Sequence, residues 1–296
     1  MMKGRISKAI KILAELSKVK ITVAVSLTTI TGYILSAGKF DTGFIPVTIG
    51  IFLLACGSSV LNHIQEARSD AVMERTTHRP IPSGNISIPV ALIIAVIELL
   101  AGTLILLLFV NYLALILGWI AFLWYNLVYT YLKRVTPHAV IPGSLIGAIP
   151  PLVGWVAAGG VLTDQKAWAM ALFFFVWQVP HFYLLIMKYG PQYEKAGMPA
   201  LTSRHSNMVI RMMIFLWIVT TSFSALLLTY YDVIRSTSVM IATMLASVWL
   251  MIVFFIPVFK PGREFKPFAY FKRINYYVLF IIVLINIDYL FYNIGA

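Results

Sequence analysis

Asn62, Glu66 and Asp70 recur every fourth residue in the stretch NHIQEARSDAVMERTTHRPIPSG, residues 62–84. On an α-helix that spacing brings the three side chains within ~80° of arc on one face. Glu74 continues the row. A ladder of an amide and carboxylates offers oxygen ligands to one hard cation. Mg²⁺, which is held by one or two carboxylates while substrate phosphate completes its shell, suits such a set. Arg68, Arg75 and Arg79 lie among and just beyond the acids, and guanidinium groups grip phosphate oxygens in pairs. Metal-assisted handling of a diphosphate is therefore the chemistry this pattern can support. A solvated helix end with internal ion pairs is the other reading of the same spacing.

The ladder directly follows a long apolar run, and the whole chain is built of such runs. Of its 296 residues 60% are hydrophobic and 11% charged, and the mean hydropathy is +0.88. A water-soluble globule of that composition could not cover its surface with polar atoms. Nine apolar segments, about 20–37, 44–64, 87–110, 112–131, 139–160, 166–187, 209–230, 238–259 and 275–294, each have the length a helix needs to cross a ~30 Å hydrocarbon core. The short alternating segments of a transmembrane barrel are absent. The expected fold is an all-α integral membrane protein, a bundle of nine transmembrane helices around a central cavity, with residues 1–296 forming one domain. No cleavable leader pattern precedes the first span, and Cys56 offers neither a disulfide nor a metal cluster. If the N-terminus is cytoplasmic, every Lys and Arg except Lys39, Lys166 and Arg235 falls on or beside the cytoplasmic loops, as the positive-inside rule requires. The net charge of +12 then reflects topology and attraction to anionic membrane lipid, and no nucleic acid partner is needed. The long loops, about residues 65–86 and 188–208, fall on the basic side, where function tends to sit on a rigid scaffold.

The ladder segment resembles the first signature of the UbiA superfamily of membrane prenyltransferases, N-x-x-x-D-x-x-x-D. Its extension MERT-x-x-RP-x-P-x-G is similar to the heme-modifying branch, the protoheme IX farnesyltransferases. Two further blocks agree with that branch: TYLKRVTPHAVIPGSLIGAIPPLVGW at 130–155 and WQVPHFYLLIMKYGPQYEKAGMPAL at 177–201. The resemblance covers nearly the whole chain. It implies transfer of a farnesyl group from farnesyl diphosphate to a vinyl group of heme B, with Mg²⁺ as cofactor, in a bacterial plasma membrane with the active-site loops cytoplasmic. Asn62, Glu66 and Asp70 carry the catalytic metal role in that reading. Arg75, Arg79 and Lys188 take the diphosphate, and Lys133, Arg134, Tyr125, Asn126, Tyr129, His181 and Tyr193 complete the expected substrate-binding set.

Several positions depart from the family pattern. Glu66 stands where the family usually has Asp, and Arg68 where its heme branch often has a third acid. In the second block an acid usually precedes the tyrosine, but here Pro191 and Gln192 precede Tyr193. Glu194 is the nearest carboxylate: either it supplies the second metal contact, or the site works with fewer carboxylates. Within the membrane, Glu98 sits midway along the third apolar segment, where an ionised carboxylate is costly, so it should be neutral, paired or turned to the cavity. His181 has two readings, facing heme or hydrogen-bonding a neighbouring helix, and Tyr125, Asn126 and Tyr129 are either cavity lining or interfacial aromatics with an interhelical amide. Pro150 and Pro151 should break the fifth span. A related prenyltransferase with a quinone-precursor or chlorin acceptor, and a transporter or assembly factor, remain open at this stage.

Overall fold

The computed structural model describes residues 2–259 and 265–294. Lys260 and Arg263, counted above among the basic loop residues, lie outside them. The described residues contain helices and no strand, as expected. In chain order they are α1 (Met2–Leu16), α2 (Val19–Ala37), α3 (Phe44–Asp70), α4 (Ile88–Phe109) and α5 (Tyr112–Leu123). A π-helical turn, Trp124–Tyr129, then leads into α6 (Thr130–Leu132). The rest are α7 (Val140–Gly143), α8 (Leu145–Ala157), α9 (Gln165–Lys195), α10 (Asn207–Tyr230), α11 (Thr237–Phe259) and α12 (Pro267–Ile294). Among the described residues nine helical stretches are long and apolar enough to cross a membrane. The amphipathic α1 precedes the first of them.

The bundle turns its grease outward. On α4 the aliphatic side chains of Ile93, Ile97, Leu100 and Leu108 are more than half exposed, whereas the small Ala91, Ala95 and Gly102 face α3. Lipid tails are as apolar as leucine, so helices in a membrane associate through close packing of small residues and through interhelical hydrogen bonds. Both devices hold this fold. Gly32 of α2 and Gly154 of α8 let the two backbones touch: a β-carbon at either position would collide with Pro151 or Thr29 carbonyl oxygen across the interface. Asn286 of α12 donates to Thr31 of α2 at 3.0 Å, and Asn126 of the π-turn donates to Ser58 of α3 at 2.6 Å.

Three elements differ from the sequence-based expectation in ways that matter for the site. The second span runs on to Asp70, so the whole ladder is helical; the long connection begins only at Ala71, and Glu74 is exposed instead of continuing the row. The sixth span runs to Lys195, which puts Lys188, Tyr193 and Glu194 on a helix. Pro150 and Pro151 lie inside the unbroken α8; the break falls earlier, at Ser144 between α7 and α8. There the Ser144 N–H is shared between the carbonyls of Val140 and Ile141, and its hydroxyl returns to Val140 at 2.7 Å. The two prolines cost only the donors to Ile146 and Gly147, near the start of α8, where few helical bonds precede them.

Candidate active site

At the polar end of the bundle, α3, the π-turn, α6 and the α1–α2 junction converge on the ladder. Asn62, Glu66 and Asp70 are all buried, at 1%, 7% and 0% exposure. The amide of Asn62 donates to Glu66 Oε1 at 2.7 Å and to Thr130 Oγ1 at 3.0 Å. Its own Oδ1 accepts from Tyr125 at 3.1 Å and from the Lys18 ammonium at 2.7 Å. Lys133 is bonded to Glu66 Oε1. Arg79 lies 2.6 Å from Asp70 Oδ2 and 3.8 Å from Glu66 Oε2. Two buried carboxylates thus face three cations, with Arg75 close by. Removing one member of such a pair would leave a buried charge uncompensated, which is strongly destabilising.

Lys18 was not singled out from the sequence, where it is one of six bases in a basic arm. It sits between α1 and α2 with φ of 48°, in the left-handed region that a non-glycine residue seldom adopts. That kink turns the chain from the amphipathic helix into the first span and aims the ammonium at Asn62. Burial pulls Lys18 down to about 8; Glu66 opposes the shift, while Arg79 and Lys133 add to it. Burial also acts to lower Lys133, but Glu66 outweighs it and holds Lys133 above the usual lysine range. The two lysines differ because Lys133 has a carboxylate as direct partner and Lys18 has an amide and a phenol.

Tyr125 and Tyr129, four residues apart, share one face of the span, and the turn that carries them is π-helical, a distortion frequent at functional sites. Here the two rings stack with centroids 5.9 Å apart, and Lys133 lies 5.5 Å above Tyr129. Asn126, on the same turn, points away from the ladder; its amide holds Ser58 and the carbonyl of Phe122.

The block at 177–201 enters through Arg75. Its backbone N–H donates to Gln192 Oε1 at 3.1 Å, its guanidinium bonds Tyr193 at 3.3 Å, and it lies over the ring of Tyr189 at 4.6 Å. Glu194, expected as a metal contact, instead accepts from Thr202 on the exposed side of α9. Residues two apart on a helix point ~200° apart, so once α9 continues past residue 192 only one of the pair can face inward. Lys188 does not join the cluster either: its ammonium sits 3.9 Å from the centre of the Phe268 ring and 4.8 Å from that of Tyr189. Arg134 is turned outward, stacking on Tyr131 and bonding the carbonyl of Gln65, and Arg68 is exposed. His181 bonds Asn275 of α12 at 2.9 Å and packs on Phe271, the interhelical alternative. Thr130 and Tyr189 join Lys18 as residues the sequence alone did not mark.

Among the described residues no three His, Cys, Asp or Glu side chains cluster as a metal set. The oxygen donors are Asn62, Glu66 and Asp70, and Asp70 Oδ1 is buried without a hydrogen-bond partner. That orphan oxygen, beside a second carboxylate one turn away, fits a hard cation that asks for one or two carboxylates from the protein and takes the rest of its shell from substrate and water.

A lipid-facing helical bundle that buries carboxylates, guanidiniums and ammoniums at one mouth is the architecture of an intramembrane enzyme for an anionic head on an apolar tail. The chain belongs to the UbiA prenyltransferase family, whose model matches residues 25–282. It is 31% identical over 275 residues to the protoheme IX farnesyltransferase of Oleidesulfovibrio alaskensis, covering 93% of this chain and 95% of the relative. It is 38% identical over 206 residues to protoheme IX farnesyltransferase 1 of Pseudomonas fluorescens, covering 69% and 68%. A solved digeranylgeranylglyceryl phosphate synthase shares the fold with a TM-score of 0.74 at 20% identity, covering 95% of this chain and 98% of its own. A UbiA homologue from Archaeoglobus fulgidus bound to DMAPP and Mg²⁺ shares it at 0.66 and 11% identity, covering 94% and 98%.

Proposed function

We propose that this chain transfers the farnesyl group of farnesyl diphosphate to a vinyl group of heme B, giving heme O, at the buried cluster around Asn62, Glu66 and Asp70. The observation that carries the reading is that ladder facing Lys18, Arg79 and Lys133 at the end of a lipid-facing bundle. It matches a diphosphate head on an isoprenoid tail. The acceptor follows from relatives of one name that align over most of their own length. The polar end and the N-terminus are cytoplasmic in this reading, in a bacterial inner membrane, and residues 1–296 act as one domain.

Mg²⁺, when bound, would be held by the oxygens of Asn62, Glu66 and Asp70 and would supply positive charge to offset that of the diphosphate. The protein's own cations do the rest. Arg75, Arg79, Lys133 and Lys18 meet diphosphate oxygens as the allylic C–O bond breaks and its electron pair leaves with the diphosphate, charge stabilisation placed where charge develops. The stacked faces of Tyr125 and Tyr129 offer quadrupolar attraction to the cation-like farnesyl carbon. That carbon bonds to the heme vinyl group. Water adds its hydroxyl to the remaining cationic carbon, and its proton passes to the diphosphate. The bundle keeps the site otherwise dry until that step.

Mass analysis of hemes extracted after the protein acts on heme B and farnesyl diphosphate in membranes tests the reading. Appearance of the hydroxyethylfarnesyl heme supports it. Unchanged heme B beside a prenylated quinone precursor or chlorin overturns the acceptor.

A further inference from the structure

Away from the carboxylate cluster, α1 and α4 enclose a groove of about 470 Å³. Ile12 and Leu16 of α1 line it together with Ile94 and Ile97 of α4; Asn85 and Glu98 are its polar members, and the remaining lining is aliphatic. This volume, with apolar walls and few polar groups, falls in the range of small-molecule sites, roughly 300–1,000 Å³. None of its lining residues belongs to the ladder or its cations. Glu98 Oε1 accepts the Ser17 hydroxyl at 2.9 Å, while Oε2 is buried with no hydrogen-bond partner.

Apart from Asn85, the residues that line the groove with Glu98 are aliphatic, and a charged partner enclosed among them would lose its hydration at high cost, so a neutral partner suits Oε2. This excludes phospholipid head groups, fatty-acid anions and diphosphates. An acyl chain alone would fill the groove yet leave Oε2 unsatisfied, which carries the full desolvation penalty of a buried polar atom. A hydroxyl both donates and accepts, so it satisfies Oε2 whichever way the carboxyl proton stands. Ile97 and Leu13 are 60% and 44% exposed along the open side, an exit through which a chain reaches the hydrocarbon.

We propose that the α1–α4 groove is a binding site for a long-chain primary alcohol, its hydroxyl on Glu98 Oε2 and its chain along the aliphatic wall. This site is independent of the prenyl-transfer reading. Ser17 is shared between the groove and the α1–α2 junction that carries Lys18, so an occupant at Glu98 sits one residue from the kink.

The test uses the full chain in proteoliposomes with two diazirine probes, a hexadecanol and the matching hexadecane. The expected result is labelling of α1 and α4 peptides by the alcohol about tenfold above the alkane, as one hydrogen bond to a buried carboxyl allows, with the preference lost in Glu98→Met. Ser17→Ala keeps the carboxyl and is expected to retain the preference. Should Glu98→Met fail to fold, competition on the wild type decides: unlabelled hexadecanol displaces the probe and hexadecane does not. Equal labelling by both probes, meaning bulk chains only, overturns the proposal, as does equal displacement by palmitate.

Discussion

Gln192 and Glu194 lie on opposite sides of α9: Gln192 Oε1 holds the backbone N–H of Arg75 at 3.1 Å, while Glu194 reaches outward to Thr202 at 2.9 Å. The position facing the ladder's side of the helix is therefore the amide, and the carboxylate is spent on the surface. Glu194→Gln is expected to leave activity and its Mg²⁺ dependence within about twofold of wild type, since surface contacts of this kind contribute little. Gln192→Asp, by contrast, adds a carboxylate beside Arg75 and is expected to lower the Mg²⁺ concentration for half activity. A titration of product formation against Mg²⁺ in the two variants checks both, and a larger effect of Glu194→Gln than of Gln192→Asp would count against this geometry.

Glu66→Gln and Asp70→Asn each remove a charge from the ladder while keeping its shape. Each is expected to reduce kcat by about 10² or more, the size of a single lost transition-state contact of about 3 kcal/mol. Each also leaves a buried cation unpaired, so both variants are expected to unfold at a lower temperature than wild type, and rates are compared per folded protein recovered from gel filtration. Single-turnover assays at saturating farnesyl diphosphate measure the effect, and rates above half of wild type in both variants reject the ladder as the reacting centre.

Lys18→Met tests the cation supplied by the helix junction. Its ammonium bonds Asn62 at 2.7 Å and Tyr125 at 3.2 Å, so its loss is expected to raise KM for the prenyl diphosphate about tenfold, a charge-assisted hydrogen bond being worth roughly 1.5–3 kcal/mol. Lys20, two residues on, is exposed, and Lys20→Met should leave KM unchanged. Equal effects of the two substitutions would mean that only the overall field of the basic arm matters.

Gly154→Ala places a methyl group against the Thr29 carbonyl across the α2–α8 contact. Because backbone cannot give way as a side chain tip does, the expected loss is about 1–3 kcal/mol, the usual range for overpacking. Gly159→Ala has open space around it but a φ of 89°, and its smaller cost would be conformational alone. Thermal unfolding in one detergent compares the pair; equal shifts would mean that crowding at Gly154 is relieved by helix movement.

The spans were legible because hydropathy over about twenty residues is a bulk property, insensitive to which face packs where. The ladder was legible because a spacing of four on a helix fixes a face. What the sequence did not display was helix length beyond the apolar run and rotation within it. Asp70 and Lys195 both end helices that outlast their greasy segments, since a bundle can carry a helix past the bilayer on tertiary contacts that leave no hydropathy signal. For that reason the sequence did not show that Glu194 turns outward, nor that Lys188 rests on Phe268, which depends on where α12 begins. Lys18 was hidden differently. Nothing in a run of basic residues tells which one occupies a left-handed turn, so its direction toward Asn62 had no local sign.

The π-turn at Trp124–Tyr129 decides where the chain is vulnerable at the level of the gene. It holds one residue more than an α-helix needs for the same rotation, since six residues at ~82° advance almost as far as five at ~100°. A loss of one codon inside it would therefore leave Thr130 and Lys133 facing the ladder, whereas the same loss in α5 would swing both by ~100°. Either allele would keep the span as greasy and almost as long, and would look intact to any hydropathy plot. Only the second would take the lysine from Glu66 and the threonine from Asn62.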